Sequence, residues 1–339
     1  LYGETIGEDA FFISLGGRYE YRNKGIDLFI ESLYQFSEEH KGNREVVAFL
    51  LVPAWEAGAR RDLHYLLSHP SEERTQPLQY PCLTHWLYNT EHDRAVCHIR
   101  HRELDRAGQR VKVIFVPCYL NGIDGIFDKS YYDLLVGMDL TIYPSYYEPW
   151  GYTPLESLAF KVPTITTSLA GFGKWVNDYY PQKQKAIEVV NRTDSNYGEV
   201  VGAIVKNIQN LLDSKDDDFQ ALRETAGKVS EIALWKNLVQ YYIKCYELTL
   251  ENIEDRVESL PPVETDGVAY LEKSKVVNTP NWRSVIIHRA IPEALQPLEE
   301  LAKNLWWCWN DEAYEVFKYI DKAKWIEVRK NPIALLDSI

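Results

Sequence analysis

The sequence predicts an α/β fold: a Rossmann-like parallel sheet with flanking helices and a helical insertion. Three observations predict it. Short apolar runs rich in β-branched and aromatic residues recur over residues 10–200, and helical patterns separate them. A third is that several runs end at Gly or Pro, as strands do before a loop. The predicted strands are residues 11–15, 46–52, 113–116, 140–143, 162–166 and 186–190.

The helical patterns connect these strands. Ile26, Ile30, Leu33 and Tyr34 recur at helical spacing, which predicts an amphipathic crossover helix between the first two strands. Residues 217–252 predict one long helix after the last strand. The first 252 residues are therefore expected to form one α/β domain.

Residues 55–110 are polar and helix-compatible, and they interrupt the sheet pattern, so we expect a helical insertion there. This stretch holds most of the histidines of the chain. His85, His92, His98 and His101 show no convincing metal-ligand spacing with Cys or carboxylates. Exposed histidines and no bound metal are the prediction.

Composition excludes several classes of protein. A formal net charge of -13 over 339 residues argues against coating nucleic acid or an anionic membrane. No apolar run approaches the roughly 20 residues of a membrane span, and the first residues do not resemble a signal peptide. Five scattered cysteines predict reduced thiols; they are Cys82, Cys97, Cys118, Cys245 and Cys308. We expect a cytoplasmic protein, cut from a longer one because it lacks an initiator Met.

The first informative motif is the segment at residues 14–25, where a predicted strand ends in two glycines and three cations follow. The carboxyl ends of parallel strands collect loop amides and helix N-termini, which suit anions, and Arg18, Arg22 and Lys24 add positive charge. A phosphate site is one interpretation. Solvated surface cations are the other, and spacing alone does not separate them.

The second motif, residues 144–156, interrupts an aromatic run with Pro and Gly before a helix starts. Thr153 as N-cap and Glu156 three residues later fit a capping box, which favours a structural role for Glu156. Glu148 precedes the helix and has no such capping role. Because the amides of residues 150–153 can face a ligand from the helix start, Glu148 suits a sugar site.

The strings at residues 17–25, 146–156 and 170–173 resemble the eukaryotic-type glycogen synthases. The resemblance covers roughly residues 8–250. It implies the C-terminal lobe of a GT-B glycosyltransferase, which binds the nucleotide sugar. By the same resemblance, Arg18 and Lys24 bind the donor diphosphate and Glu148 holds the donor glucose near the reacting carbon.

The resemblance implies further residues that contact the donor. Glu156 would face the ribose, Tyr131 would stack on the uracil, and main-chain amides would meet sugar and phosphate. Glu156 can cap the helix with one oxygen and bind a hydroxyl with the other. The donor-binding residues so implied are Tyr131, Trp150, Gly151, Tyr152, Thr153 and Glu156.

The activity implied is retaining transfer of glucose from a nucleoside-diphosphate glucose to the non-reducing end of an α-1,4-glucan, without metal or cofactor. UDP-glucose is the expected donor, and ADP-glucose stays open. The glucan acceptor would bind through a first lobe outside this chain, so we expect this chain to bind donor and to be inactive alone. A non-catalytic module for assembly or glycogen attachment is the alternative, and a homo-oligomer is compatible with either.

The remaining residues have a different character. Residues 253–280 are expected to be a linker, and residues 281–339 to form a short α-helical segment. The strings at residues 304–310 and 331–336 resemble the start of a bacterial α-glucan phosphorylase, whose pyridoxal phosphate would bind outside this chain. The phosphorylase alone is a further rival, disfavoured because synthase-like strings fill most of the chain. The arginine-rich activation helix of eukaryotic synthases is reduced here to Arg223 and Lys228, so activation by glucose 6-phosphate is not expected.

Overall fold

The structure, a computed structural model, describes residues 1–70, 75–180 and 186–252. In these residues a six-stranded parallel sheet has the strand order β5-β2-β1-β6-β7-β8, and a two-stranded ribbon pairs β3 with β4. The predicted parallel sheet is confirmed. The strands are β1 (Phe11–Gly16), β2 (Val46–Leu51), β3 (Glu56–Ala59), β4 (His85–Leu87), β5 (Val111–Val116), β6 (Leu140–Ile142), β7 (Thr164–Thr167) and β8 (Ile187–Val190).

Helices cover the sheet. The predicted crossover helix is α1, which buries Ile26, Ile30 and Leu33 against the strands. A second, smaller apolar cluster packs under α5, α6 and α8. The helices are α1 (Ile26–Glu39), α2 (Arg61–Ser68), α3 (Arg94–His101), α4 (Tyr131–Leu135), α5 (Tyr152–Ala159), α6 (Gly171–Tyr179), α7 (Tyr197–Leu212), α8 (Asp216–Ile232) and α9 (Trp235–Glu251).

The central strands of the parallel sheet form the main part of the core. Strands β1, β2 and β5 lie in register, with Phe11 opposite Val46 and Val46 opposite Val111. Their side chains are buried almost without interruption, as in sheets covered by helices on both faces.

The insertion at residues 55–110 is only partly helical. It contains α2 and α3, and also the antiparallel ribbon of β3 and β4, in which Ala59 lies opposite His85. The prediction of exposed histidines holds for His64, His69, His92 and His101. It is wrong for His85, which is buried because it sits on the inward face of β4, and His98 is half-buried.

The predicted helix over residues 217–252 is two helices, α8 and α9. The side-chain amide of Asn237 donates to the carbonyl of Glu231 at 2.9 Å and so adds a hydrogen bond at the end of α8. Beyond this point the helix buries no side chain. None of the described helices is both long and apolar enough to cross a membrane.

The strand order places a crevice at one point of the sheet. From β1 the chain proceeds to β2 on one side, whereas β6 lies on the other side of β1. Loops that leave β1 and β6 at their carboxyl ends therefore diverge, and such switch points are where open α/β sheets bind ligands. Both predicted motifs follow these two strands.

Candidate functional site

The loops after β1 and β6 are in direct contact at the switch point. The amide of Tyr146 donates to the carbonyl of Asn23 at 2.7 Å. Gly25 is the N-cap of α1 with φ 69°, and a Cβ there would lie 2.0 Å from the carbonyl oxygen of Pro144. Only glycine fits this position, because both the backbone conformation and the space exclude a side chain. The two motifs thus form one site.

Lys24 and Glu148 form an ion pair in this site. The Nζ of Lys24 donates to Oε2 of Glu148, and the two side chains are 13% and 23% exposed. A charge-assisted bond with this degree of burial is stronger than an exposed ion pair. The structure therefore brings together two of the three residues predicted to be catalytic.

Arg18, the third, lies at the surface. Its guanidinium is 3.1 Å from Oε1 of Glu20, and its side chain is 77% exposed. Exposed pairs of this kind contribute little to stability, so the guanidinium can exchange Glu20 for another anion. Arg18 is close in sequence to the site but does not contact Lys24 or Glu148 among the contacts of the described residues.

The insertion fixes the loop that carries Lys24, which the sequence did not suggest. Tyr19 donates to the carboxylate of Asp93 at 2.6 Å, and the hydroxyl of Tyr21 lies 2.8 Å from Nδ1 of His98. Arg94 stacks over the ring of Tyr21 at 4.1 Å. Burial raises the pKa of Tyr21 to about 12 and lowers the pKa of His98, so both groups are neutral near pH 7.

The start of α5 differs from the capping-box prediction, which is wrong. The helix begins at Tyr152, its N-cap is Gly151 with φ 102°, and no side chain caps it. The prediction failed because Gly151 adopts a left-handed conformation that starts the helix before Thr153. Among the described residues, the amides of residues 150–153 have no hydrogen-bond acceptor, and they are available to a ligand.

The main chain around Glu148 is held by the start of α6. The amide of Gly171 donates to the carbonyl of Glu148 at 3.0 Å, and that of Phe172 donates to Trp150 at 2.6 Å. The ring of Trp150 packs against Phe172 and Trp175 at 5.7 Å. Its side chain is therefore structural, and only its backbone is free to face a donor.

Tyr131 and Glu156 lie beside the same crevice. A Cβ on Gly16 would lie 2.9 Å from the ring of Tyr131, whose hydroxyl is 3.1 Å from that of Tyr143. Glu156 lies in the second turn of α5, where it accepts a hydrogen bond of 3.0 Å from Tyr132. The sequence did not identify Tyr132, because its position next to Tyr131 does not indicate a hydrogen bond to Glu156.

Arg192 contacts the start of the loop that carries Glu148, and the sequence did not identify it either. Its guanidinium donates to the carbonyl of Pro144, lies 5.0 Å from the centre of the Tyr146 ring, and is buried. Burial lowers its pKa, and the carboxylate of Asp27 opposes that shift. Arg192 lies two residues after the end of β8, so the rule of strand carboxyl ends could have identified it.

Comparison with known proteins gives a family. The glycogen synthase family matches residues 5–61 and 72–289, and a family described as a protein of unknown function, DUF3417, matches residues 291–339. The chain is 26% identical to liver glycogen [starch] synthase of Mus musculus over 328 residues, covering 81% of this chain and 46% of that protein. It is 27% identical to glycogen [starch] synthase isoform 1 of Saccharomyces cerevisiae over 305 residues, covering 72% of this chain and 43% of that protein. The chain thus spans about half the length of these relatives.

Solved structures are also similar to this chain. The glycosyltransferase WaaG, involved in lipopolysaccharide biosynthesis, is 15% identical, with a TM-score of 0.37 over 67% of this chain and 44% of WaaG. The N-terminal domain of a Candida albicans trehalose-6-phosphate phosphatase is 14% identical, with a TM-score of 0.46 over 71% and 42%.

Proposed function

The chain belongs to the glycogen synthase family, and from this we propose that it is the donor-binding lobe of a retaining glucosyltransferase. The whole protein would transfer glucose from a nucleoside-diphosphate glucose to the non-reducing end of an α-1,4-glucan. The observation that carries the proposal is the contact between Lys24 and Glu148 at the switch point of the sheet. One cation for phosphate and one carboxylate for sugar hydroxyls meet there, beside available backbone amides.

Donor binding would replace the ion pair with substrate contacts. The diphosphate would take over Lys24 and attract Arg18 away from Glu20. Glu148, released from Lys24, would accept hydrogen bonds from glucose hydroxyls. This exchange keeps every buried charge partnered, which is a condition for stable burial.

The proposed chemistry requires charge stabilisation more than a protein base. As the bond between the anomeric carbon and the phosphate oxygen breaks, negative charge grows on the leaving diphosphate and positive charge on the sugar ring. Arg18 and Lys24 would stabilise the former, and Glu148 would stabilise the latter. The departing phosphate would take the proton of the acceptor hydroxyl on the same face, which retains configuration.

The remaining donor contacts follow from position. The amides of residues 150–153 would bind phosphate and sugar oxygens at the start of α5. We propose that Tyr131 stacks on the base and that Glu156 exchanges the Tyr132 hydroxyl for a ribose hydroxyl. Uridine is the proposed base, and adenosine is the competing one.

The rest of the protein completes the proposal. The acceptor glucan would bind to a lobe outside this chain. Residues 253–280 and 281–339, outside the described residues, would be a linker and the start of an α-glucan phosphorylase, a proposal supported by the strings at residues 304–310 and 331–336. The free thiols of Cys82, Cys97 and Cys118 support a reducing, cytoplasmic location.

Isothermal titration calorimetry tests the proposal. UDP-glucose and ADP-glucose are titrated into the chain and into Arg18→Ala, with the exposed Arg61→Ala as a matched control. We expect one donor to bind, Arg18→Ala to bind it more weakly, and Arg61→Ala to match the original chain. Absent binding of both donors would contradict the donor-lobe assignment and favour the non-catalytic module.

A further inference from the structure

Three side chains of metal-ligating type converge next to the insertion. His85 lies in β4, Cys118 follows β5, and Asp124 lies in the loop that leads to α4. The ligand atoms of the imidazole, thiol and carboxylate all lie within 4.8 Å of one another. The side chains of His85 and Asp124 are 2% and 0% exposed, and Cys118 is buried. This cluster shares no residue with the Lys24–Glu148 pair.

The carboxylate of Asp124 is oriented but not neutralised. Its two oxygens accept hydrogen bonds of 3.0, 2.8 and 2.9 Å from the amides of Ile126, Phe127 and Asp128. Among the described residues its ion-pairing partner is His85, at 3.9 Å, and it has no Lys or Arg partner. Fully buried carboxylates are usually paired with a cation or bind a metal.

The surroundings of Cys118 are also negative. Burial, and after it the charges of Asp124 and Glu56, raise the pKa of its thiol to about 12. Glu56 lies in β3, next to β4, and no Lys or Arg of the described residues pairs with it. A cation bound here would balance the charges of the two carboxylates, Asp124 and Glu56.

The hydrogen bonds of His85 match those of a metal ligand. Its Nδ1 lies 2.9 Å from the hydroxyl of Thr84, which in turn lies 3.3 Å from the carbonyl of Phe115. Ligating histidines commonly donate their other nitrogen to such an oxygen, which fixes the ring. The other ring nitrogen, Nε2, donates to the main-chain carbonyl of Asp124 at 2.9 Å.

We propose that His85, Cys118 and Asp124 bind a zinc ion. One nitrogen, one sulfur and one carboxylate oxygen form a donor set that zinc accepts, whereas magnesium and calcium prefer oxygen alone. Glu56 or a water would complete four-coordination. On binding, the thiol proton is released to solvent. The imidazole changes tautomer, so that Nε2 binds the metal and Nδ1 donates to Thr84.

The site would act structurally. It would join the β3–β4 ribbon to the loop at residues 119–130, whose last residue, Ser130, is the N-cap of α4 and precedes Tyr131. A metal there would fix the loop that presents Tyr131 to the crevice. The inference does not depend on the proposed glucosyl transfer.

Cobalt titration tests the site directly. The whole chain is stripped with a chelator and titrated with Co²⁺, which substitutes for zinc and gives a thiolate-to-cobalt absorption band. We expect the band to saturate at one equivalent, to persist in Cys97→Ser and Cys308→Ser, and to be absent from Cys118→Ser. Added Zn²⁺ should remove it. A chain without the band, or a band unchanged in Cys118→Ser, would overturn the proposal.

Thermal melting provides a second test that does not depend on the absorption band. Zn²⁺ should raise the Tm of the stripped chain, and Asp124→Asn should weaken zinc binding at least about tenfold. His92→Gln, on the exposed side of the insertion, is the matched control and should keep the full rise in Tm. An equal rise in Asp124→Asn and in the original chain would contradict the assignment.

Discussion

Lys24 and Glu148 lie 124 residues apart in the sequence and form a partly buried ion pair where the loops after β1 and β6 meet. The two residues come from different motifs, and the parallel sheet brings them together because their strands are neighbours. Under the proposed function, each residue would hold the other until a ligand with the right charge pattern binds. A diphosphate sugar offers this pattern, because it presents anionic and hydroxyl oxygens within one molecule.

The close approach of Gly25 to Pro144 predicts a large effect of one methyl group. Gly25→Ala should destabilise the chain by at least about 2 kcal/mol, because the left-handed backbone and the Pro144 carbonyl both exclude a Cβ. Gly202→Ala, within α7 and with open space around it, should instead stabilise by about 0.5–1 kcal/mol. Urea unfolding measures both. Equal effects would show that the contact of the two loops is not tight.

Arg192 predicts a coupling between stability and donor binding. Arg192→Met should cost about 1–3 kcal/mol of unfolding free energy, because the carbonyl of Pro144 loses its buried donor. It should also weaken donor binding, since the loop that carries Glu148 starts at Pro144. The exposed Arg106→Met should change stability by no more than about 0.5 kcal/mol. Urea unfolding and calorimetry on the same samples test this, and unchanged donor affinity in Arg192→Met would contradict the positioning role.

His98 predicts a pH dependence. Burial lowers its pKa in the folded chain, although Glu31 opposes the shift. The unfolded chain, with a His pKa of about 6.5, therefore binds the proton first as the pH falls. The stability from neutral His98 is present above about pH 6.5 and is lost as the pH falls through the folded pKa. His98→Gln should remove this part of the slope when urea unfolding is compared between about pH 7.5 and pH 5. An unchanged slope would contradict it.

Glucose 6-phosphate should not stabilise this chain. Arg223 donates to the carbonyl of Met138 at 2.8 Å and to Asp139 at 3.0 Å, so it is already engaged, and Lys228 is exposed on the same helix. In α8, which lies within the described residues, Lys228 is then the one cation left, and a single cation gives little phosphate affinity. In a thermal-shift titration we expect no saturable change in Tm with glucose 6-phosphate, with UDP-glucose as the positive comparison. A saturable rise would show an activation site that this region does not suggest.

The sequence predicts the sheet and the main site for a simple physical reason. Apolar runs identify strands, and residues just after parallel strands meet at one edge, which correctly brings Lys24 near Glu148. The same rule applies to Arg192, which lies after β8, but no motif near Arg192 indicated a role for it. Spacing did not reveal the contact of His85 with Asp124, since the two residues lie 39 positions apart, with α3 and β5 between them, and local patterns carry no information on such contacts. The prediction for the start of α5 was wrong because Gly151, in a left-handed conformation, is the N-cap in place of Thr153.

The most direct test of the donor site compares UDP with UDP-glucose by calorimetry. Lys24→Met should weaken both ligands by roughly 10- to 100-fold, because it removes a charge-assisted bond to the shared diphosphate. Glu148→Gln should weaken UDP-glucose and leave UDP unchanged or tighter, since it affects the glucose and frees Lys24. The exposed Lys206→Met should match the original chain. Equal weakening of UDP and UDP-glucose by Glu148→Gln would contradict the assignment of this carboxylate to the sugar.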